Sequence, residues 1–166
     1  MSFLLGELFI LATEHRLFSV EYGEAFHNVD EWVAKWTTHF GQEAVEEMTP
    51  LLESTKKQLL EYFEHKRKIF QLPIDLSVGT EFQQLVWMGL LAIPYGSTMS
   101  YKQLAKGIGC PRAIRAAANA NGRNPLAIIV PCHRVIYANG QLGGYSSGIE
   151  KKQFLLQLEQ NKNQND

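Results

Sequence analysis

Apolar positions in the first 22 residues come in short runs, Leu8-Phe9-Ile10-Leu11 and Leu17-Phe18 with Val20, broken by Gly6 and by Thr13-Glu14-His15-Arg16. Short apolar runs bounded by glycine and polar turn residues predict two strands and a turn, a β-hairpin over residues 3–22. From Thr49 the spacing changes. Leu51, Leu52, Leu59, Leu60, Phe63 and Phe70 recur close to the helical period, with Thr49 placed to cap and Pro50 in the first turn, so a helix is expected to end near Lys66. A short extended piece, Pro73 to Ser77, then leads to Gly79, which marks a boundary between an α/β N-terminal domain, 1–78, and a C-terminal domain, 79–166.

The C-terminal half reads as closely spaced helices. Thr80 opens one that stops before the Pro94-Tyr95-Gly96 turn. Ser100 caps a second, and Pro111 opens a third that runs to Asn121; a link of a few residues between them makes the helix-turn-helix pattern of a winged-helix-like, mainly helical domain. The third is rich in alanine, at positions 113, 116, 117, 118 and 120. A face that smooth suits either a nucleic-acid groove or close packing on a neighbouring helix. After Asn124-Pro125, residues 126–131 are apolar and β-branched like a buried strand or extended segment, and they lead directly to Cys132-His133-Arg134-Val135. A glycine-rich loop follows, then a closing amphipathic helix that ends at Glu159 and a polar tail, 161–166.

Composition narrows the class. With 45% hydrophobic and 20% charged residues the chain is an ordinary globular protein, and 166 residues suit one domain and a smaller one. No apolar run approaches the ~20 residues of a membrane span, and Glu7 interrupts what would be a signal peptide's apolar core, so a cytoplasmic location is expected. Cys110 and Cys132 are too few for a disulfide scaffold and are expected reduced. The net charge of −1 conceals a polarity: residues 1–81 carry 14 acidic and 7 basic side chains, whereas residues 82–149 carry six basic ones and no Asp or Glu. Lys102, Lys106, Arg112, Arg115, Arg123 and Arg134 in an acid-free stretch are what a phosphate-facing surface requires, since a carboxylate there would repel the backbone.

Cys132 is the candidate nucleophile. An unperturbed thiol has a pKa of ~8.5, and a neighbouring imidazole or positive charge makes the thiolate easier to reach. Adjacency to His133 does not by itself decide the matter, because consecutive residues of a strand face opposite sides. The cysteines and the five histidines show no zinc-type spacing, and neither metal nor cofactor is expected.

Pro131-Cys132-His133-Arg134-Val135 resembles the active-site signature of the O6-alkylguanine-DNA alkyltransferases, and the resemblance extends from Thr80 to about Glu159. It runs through Val86-Trp87, the stretch from Ile93 to Ala105, Pro111-Arg112 with Arg115, Asn124-Pro125 and the loop from Gly143 to Gly148, in the family's order and spacing. Residues 1–78 resemble the family's variable N-terminal domain only by position and texture. The resemblance implies irreversible transfer of the alkyl group from O6-alkylguanine in double-stranded DNA to Cys132, O4-alkylthymine being a further candidate substrate. It implies His133 as the base acting through a water, Glu159 as its orienting acid and Tyr101 as proton donor to the purine. Tyr145, Ser146, Val135 and Asn124 would form the base pocket, with Asn124 also fastening the turn before the cysteine. DNA would be held by Arg115, which fills the gap left by a base flipped from the minor groove, and by Arg112, Ala116, Ala117, Arg123 and Ser100.

Two departures accompany it. Ala117 and Ala118 stand where many members have glycine, and no cysteine precedes Cys110 to supply the zinc site of some members. The protein is expected to be a monomer. The rival readings are a non-catalytic lesion binder, which would lack the acceptor cysteine, and a Cys-His hydrolase, which would have no use for the acid-free helix-turn-helix.

Overall fold

The computed structural model describes residues 2–3, 5–25 and 28–161; 162–166, most of the polar tail, lie outside them. The hairpin forms as β2 (Gly6–Ala12) and β3 (Leu17–Tyr22), and β1 (Ser2–Phe3) extends it to a three-stranded antiparallel sheet. Strand β3 does not alternate: Leu17, Phe18, Ser19, Val20 and Tyr22 are all buried, because both faces are covered. One face meets α1 (Val29–Phe40), where Phe18 packs with Trp32 and Trp36, and the other meets the main core. No element was anticipated between residues 23 and 48, although Asn28 caps α1 by accepting from Asp30 N and Gly41 ends it in the left-handed region, φ 64°. Helix α2 (Pro50–Phe63) starts on its Thr49 cap and stops three residues before Lys66.

The remaining helices are α3 (Glu81–Leu91), α4 (Tyr101–Gly107), α5 (Ile114–Gly122) and α6 (Ile149–Gln160). Reciprocal capping boxes, Thr80 with Gln83 and Ser100 with Gln103, start α3 and α4. The pair α4–α5 is the predicted helix-turn-helix. Pro111 does not open its second helix: Ala113 N bonds to Cys110 O at 2.9 Å, a turn that uses up Pro111 and Arg112, and α5 begins at Ile114. Beside it β4 (Met99–Ser100) and β5 (Val135–Ile136) pair in parallel, tying the start of α4 to the residues just after Cys132.

Residues 126–130 are buried but are not a strand. Leu126 makes one isolated bridge to Val20, Ile128 is left-handed at φ 71°, and Val130 N turns back to Leu126 O. A buried loop must satisfy its polar backbone, and Asn124 does so here. Its amide donates to Val130 O at 2.7 Å and Leu126 O at 3.4 Å, and its carbonyl accepts from Leu126 N at 3.0 Å. One core runs through both halves of the chain, joining Leu8, Val20, Leu59 and Tyr62 to Trp87, Leu104, Val130 and Leu155. Among the described residues no helix is long and apolar enough to cross a membrane. Asn124→Ala, which strands buried backbone groups, is expected to lower unfolding free energy by about 2 to 3 kcal/mol in urea titrations; a loss below about 0.5 kcal/mol would mean that the loop is held by its apolar contacts alone.

Candidate active site

Cys132 to Arg134 form one turn of 3-10 helix, entirely buried, at the exit of the Asn124-bound loop. A turn, unlike a strand, sends consecutive side chains around an axis, so His133 and Arg134 both reach Glu159 on α6. His133 Nε2 lies 2.7 Å from Glu159 Oε1, and Arg134 donates from Nε to Oε2 and from Nη2 to Oε1, both at 2.9 Å. Two further donors complete the cage, the Tyr62 hydroxyl to Oε1 at 2.7 Å and Gly96 N to Oε2 at 3.3 Å. Gly96 can approach because it is left-handed, φ 77°, and lacks a Cβ, which would sit 3.2 Å from the Glu159 carbonyl oxygen.

The electrostatics assign protonation states. Burial opposes ionisation of Glu159, but the hydrogen bonds and charges of His133 and Arg134 outweigh it and hold the carboxyl at about 2. A carboxylate only accepts, so His133 Nε2 carries the proton. Burial pushes the His133 pKa down, leaving the ring neutral at pH 7 with Nδ1 as a lone-pair acceptor that has no protein partner among the described residues. Burial also pushes the Cys132 thiol up to about 11, against the pull of the Asn124 hydrogen bond and the Lys152 charge. Lys152 was not singled out from the sequence. It is fully buried, donates to the carbonyls of Val135 and Gly144, and is itself brought down to about 8 by burial. Its signal was available: Lys152, Leu155, Leu156 and Glu159 share one helical face, and all four are buried.

A cavity of about 380 Å³ opens onto Cys132. Tyr101, Tyr137, Gly144, Tyr145 and Ser146 line it from the α4 and loop side, and Ala118, Asn119 and Gly122 from α5. Cys132, Tyr101, Tyr145 and Ser146 are therefore brought together from three segments, with His133 and Glu159 behind them. Gly143 lets the loop close on Tyr101, since a Cβ there would come 2.9 Å from its hydroxyl. Tyr22, from β3, also reaches the site, its ring edge-on to Tyr145 at 6.3 Å, and both hydroxyls are buried without a well-formed hydrogen bond among the described residues.

Several expected contacts fall elsewhere. Asn124 and Val135 are buried behind the cavity and do not line it. Ala117 is fully buried, so its methyl packs inward and is not presented to DNA, and the departure from glycine there adds core volume. The Ser100 hydroxyl is engaged in capping α4. Arg134 leaves the phosphate-facing set, being neutralised by Glu159. Lys102, Lys106, Arg112, Arg115, Ala116 and Arg123 are exposed. Asn119, which lines the cavity, lies four residues from Arg115 on α5 and four from Arg123, the residue that caps the helix. No group of three or more His, Cys, Asp or Glu side chains among the described residues is placed to hold a metal.

Residues 81–161 match the model of the 6-O-methylguanine DNA methyltransferase DNA binding domain, and residues 1–76 that of its ribonuclease-like domain. The chain belongs to this methyltransferase family. The constitutive methylated-DNA–protein-cysteine methyltransferase of Bacillus subtilis is 46% identical over 156 residues, 93% of this chain and 90% of that one. The Methanosarcina barkeri protein of the same name is 53% identical over 63% of this chain, an alignment that spans 66% of the relative. The crystal structure of Mycobacterium tuberculosis OGT in complex with DNA superposes with a TM-score of 0.83 at 39% identity, covering 97% of this chain and 91% of that one. The α/β N-terminal and helical C-terminal halves are thus the family's ribonuclease-like and DNA-binding domains.

The clamp predicts a titration. Glu159 is held below its ordinary 4.5 in the folded state, so its contribution is complete above pH 4.5 and is lost as pH falls towards about 2. Glu159→Ala, leaving Arg134 buried and unpaired, is expected to cost about 3 to 5 kcal/mol at pH 7 by chemical unfolding and to flatten stability between pH 4.5 and 2; a variant as stable as the parent would refute the clamp.

Proposed function

We propose that this protein repairs DNA by moving the alkyl group from O6 of a guanine to Cys132 Sγ, once per molecule and without a cofactor. The carrying observation is a thiol at the floor of a cavity, backed by a neutral imidazole whose far nitrogen is fixed by a buried carboxylate. Cys132 is protonated at rest, and its proton passes through a water to His133 Nδ1. Sγ attacks the alkyl carbon, the carbon–O6 bond breaks, and guanine leaves with its charge met by a proton from Tyr101 and by hydrogen bonds from the Tyr145 hydroxyl and Ser146 N–H. Glu159 stabilises the imidazolium without taking its proton. The S-alkyl product has no route back to the thiol, so stoichiometry is the signature.

A guanine stacked in duplex DNA cannot reach this floor, so the base is flipped, at a cost of a few kcal/mol. The exposed face of α5, with Arg115, the small Ala116 and Gly122, and Asn119 at the cavity, suits entry into the minor groove with Arg115 filling the vacated stack. The five exposed basic side chains hold phosphates without sequence preference. The protein acts as a cytoplasmic monomer. The names of its relatives, methylated-DNA–protein-cysteine methyltransferases, agree with this reading.

The test is duplex DNA carrying radiolabelled O6-methylguanine. Label is expected on Cys132 alone, saturating at one per chain, and none on Cys132→Ala; tight binding without label would make the protein a lesion binder. Arg115→Ala is expected to slow transfer from duplex DNA at least about tenfold, in line with the cost of an unfilled stack, while leaving transfer from free O6-alkylguanine unchanged. Equal slowing with both substrates would remove Arg115 from base flipping.

A further inference from the structure

Resting on the function just proposed, we infer that Tyr62, a residue of the N-terminal half, is a positioning residue of the alkyl-transfer relay: its hydroxyl fixes the Glu159 carboxylate in the orientation that receives His133. The two residues are 97 positions apart, yet the hydroxyl donates to Glu159 Oε1 at 2.7 Å, the same oxygen that accepts from His133 Nε2 at the same distance. Tyr62 has no solvent exposure. Its ring is wedged against Phe63 and Phe70, centroids 5.4 Å away, and Tyr95 at 5.9 Å, so the hydroxyl has no other direction in which to point.

Chemistry makes the contact directional. Burial and the Glu159 charge raise the Tyr62 pKa far beyond any working pH, so this hydroxyl is a permanent donor. Oε1 receives three donors, from Tyr62, His133 and Arg134. Only the His133 contact changes during transfer, when the ring becomes an imidazolium. Tyr62 holds the oxygen still at that moment and withdraws part of its charge, which sets how strongly Glu159 draws a proton onto His133. Were Tyr62 only packing, its ring would suffice and the hydroxyl would be a buried liability. The N-terminal half is on this account a component of the chemistry as well as a support for it.

Tyr62→Phe keeps the ring and deletes the donor. With the full chain and duplex DNA carrying radiolabelled O6-methylguanine, the single-turnover rate at pH 7.5 is expected to fall about three- to tenfold, the equivalent of one buried hydrogen bond. The acidic limb of the pH–rate profile is expected to move up by about half a unit, because a more basic carboxylate favours imidazolium. Arg134, Lys152, Tyr95, Tyr145 and Cys132, the other charged or titratable groups around the pair, are unchanged in the variant. Added to His133→Gln, which removes the base, Tyr62→Phe is expected to have no further effect. A fluorinated tyrosine introduced at position 62, a stronger donor of nearly the same shape, should move the limb down, and it keeps the test open if the phenylalanine variant folds poorly. Unchanged rates, or a slowing that is equal at all pH values and persists in the His133→Gln background, would overturn the inference while leaving the proposed function standing; absence of label on the parent protein would overturn both.

Discussion

The Glu159 carboxylate is the constraint on which the rest of the structure depends. A buried charge is tolerable only when every lone pair is engaged. Five donor atoms from three separate stretches of the described residues meet the carboxylate on α6: one from Tyr62 on α2, one from Gly96 in the turn after α3, and on the 3-10 turn one from His133 and two from Arg134. Arg134 also donates to Ile93 O at 2.7 Å, which anchors the same turn to the end of α3. One group thus determines where α2, α3, α6 and the cysteine turn meet. An apolar residue could fill the space, but it would orient nothing, and the imidazole beside the thiol would lose its tautomer.

A second constraint balances the first. The cysteine turn is buried on a loop that cannot join a sheet, and Asn124 replaces the missing ladder while touching the thiol. Lys152 then brings a positive charge towards Cys132, anchored by two backbone carbonyls from the segments that bracket the cavity. The site therefore holds a protonated thiol under opposed influences, burial against Lys152 and Asn124. This suits a group that must stay unreactive until a base fills the cavity and excludes water. The helix-turn-helix contributes both a binding face and a wall: Arg115, Asn119 and Arg123 face outwards, while Ala118, Asn119 and Gly122 close the cavity and Ala117 packs within. Of the alanine-rich helix, Ala117 and Ala120 pack into the core, while Ala116 is left exposed beside Arg115.

Much of this was legible along the chain. The caps at Thr49, Thr80 and Ser100, the hairpin, the order of helices, the acid-free stretch and the Cys132-His133 pair depend on residues a few positions apart, where spacing and turn chemistry act directly. Boundaries were less secure where two local preferences compete, as at Pro111, a good helix opener drawn into the turn by its neighbours. The run 126–131 was misread because a β-branched apolar segment signals burial, and burial alone does not distinguish a paired strand from a loop satisfied by one asparagine.

The sequence by itself determined the local elements and the charge polarity and singled out Cys132 as the candidate nucleophile, because each is carried by adjacent or periodically spaced side chains. Only the tertiary structure decided that Tyr62 and Tyr22 belong at the site, that Lys152 is buried beneath it, and that Arg134 serves the carboxylate instead of DNA. These depend on which distant segments share one dry interior, where a charge must find partners wherever the fold brings them.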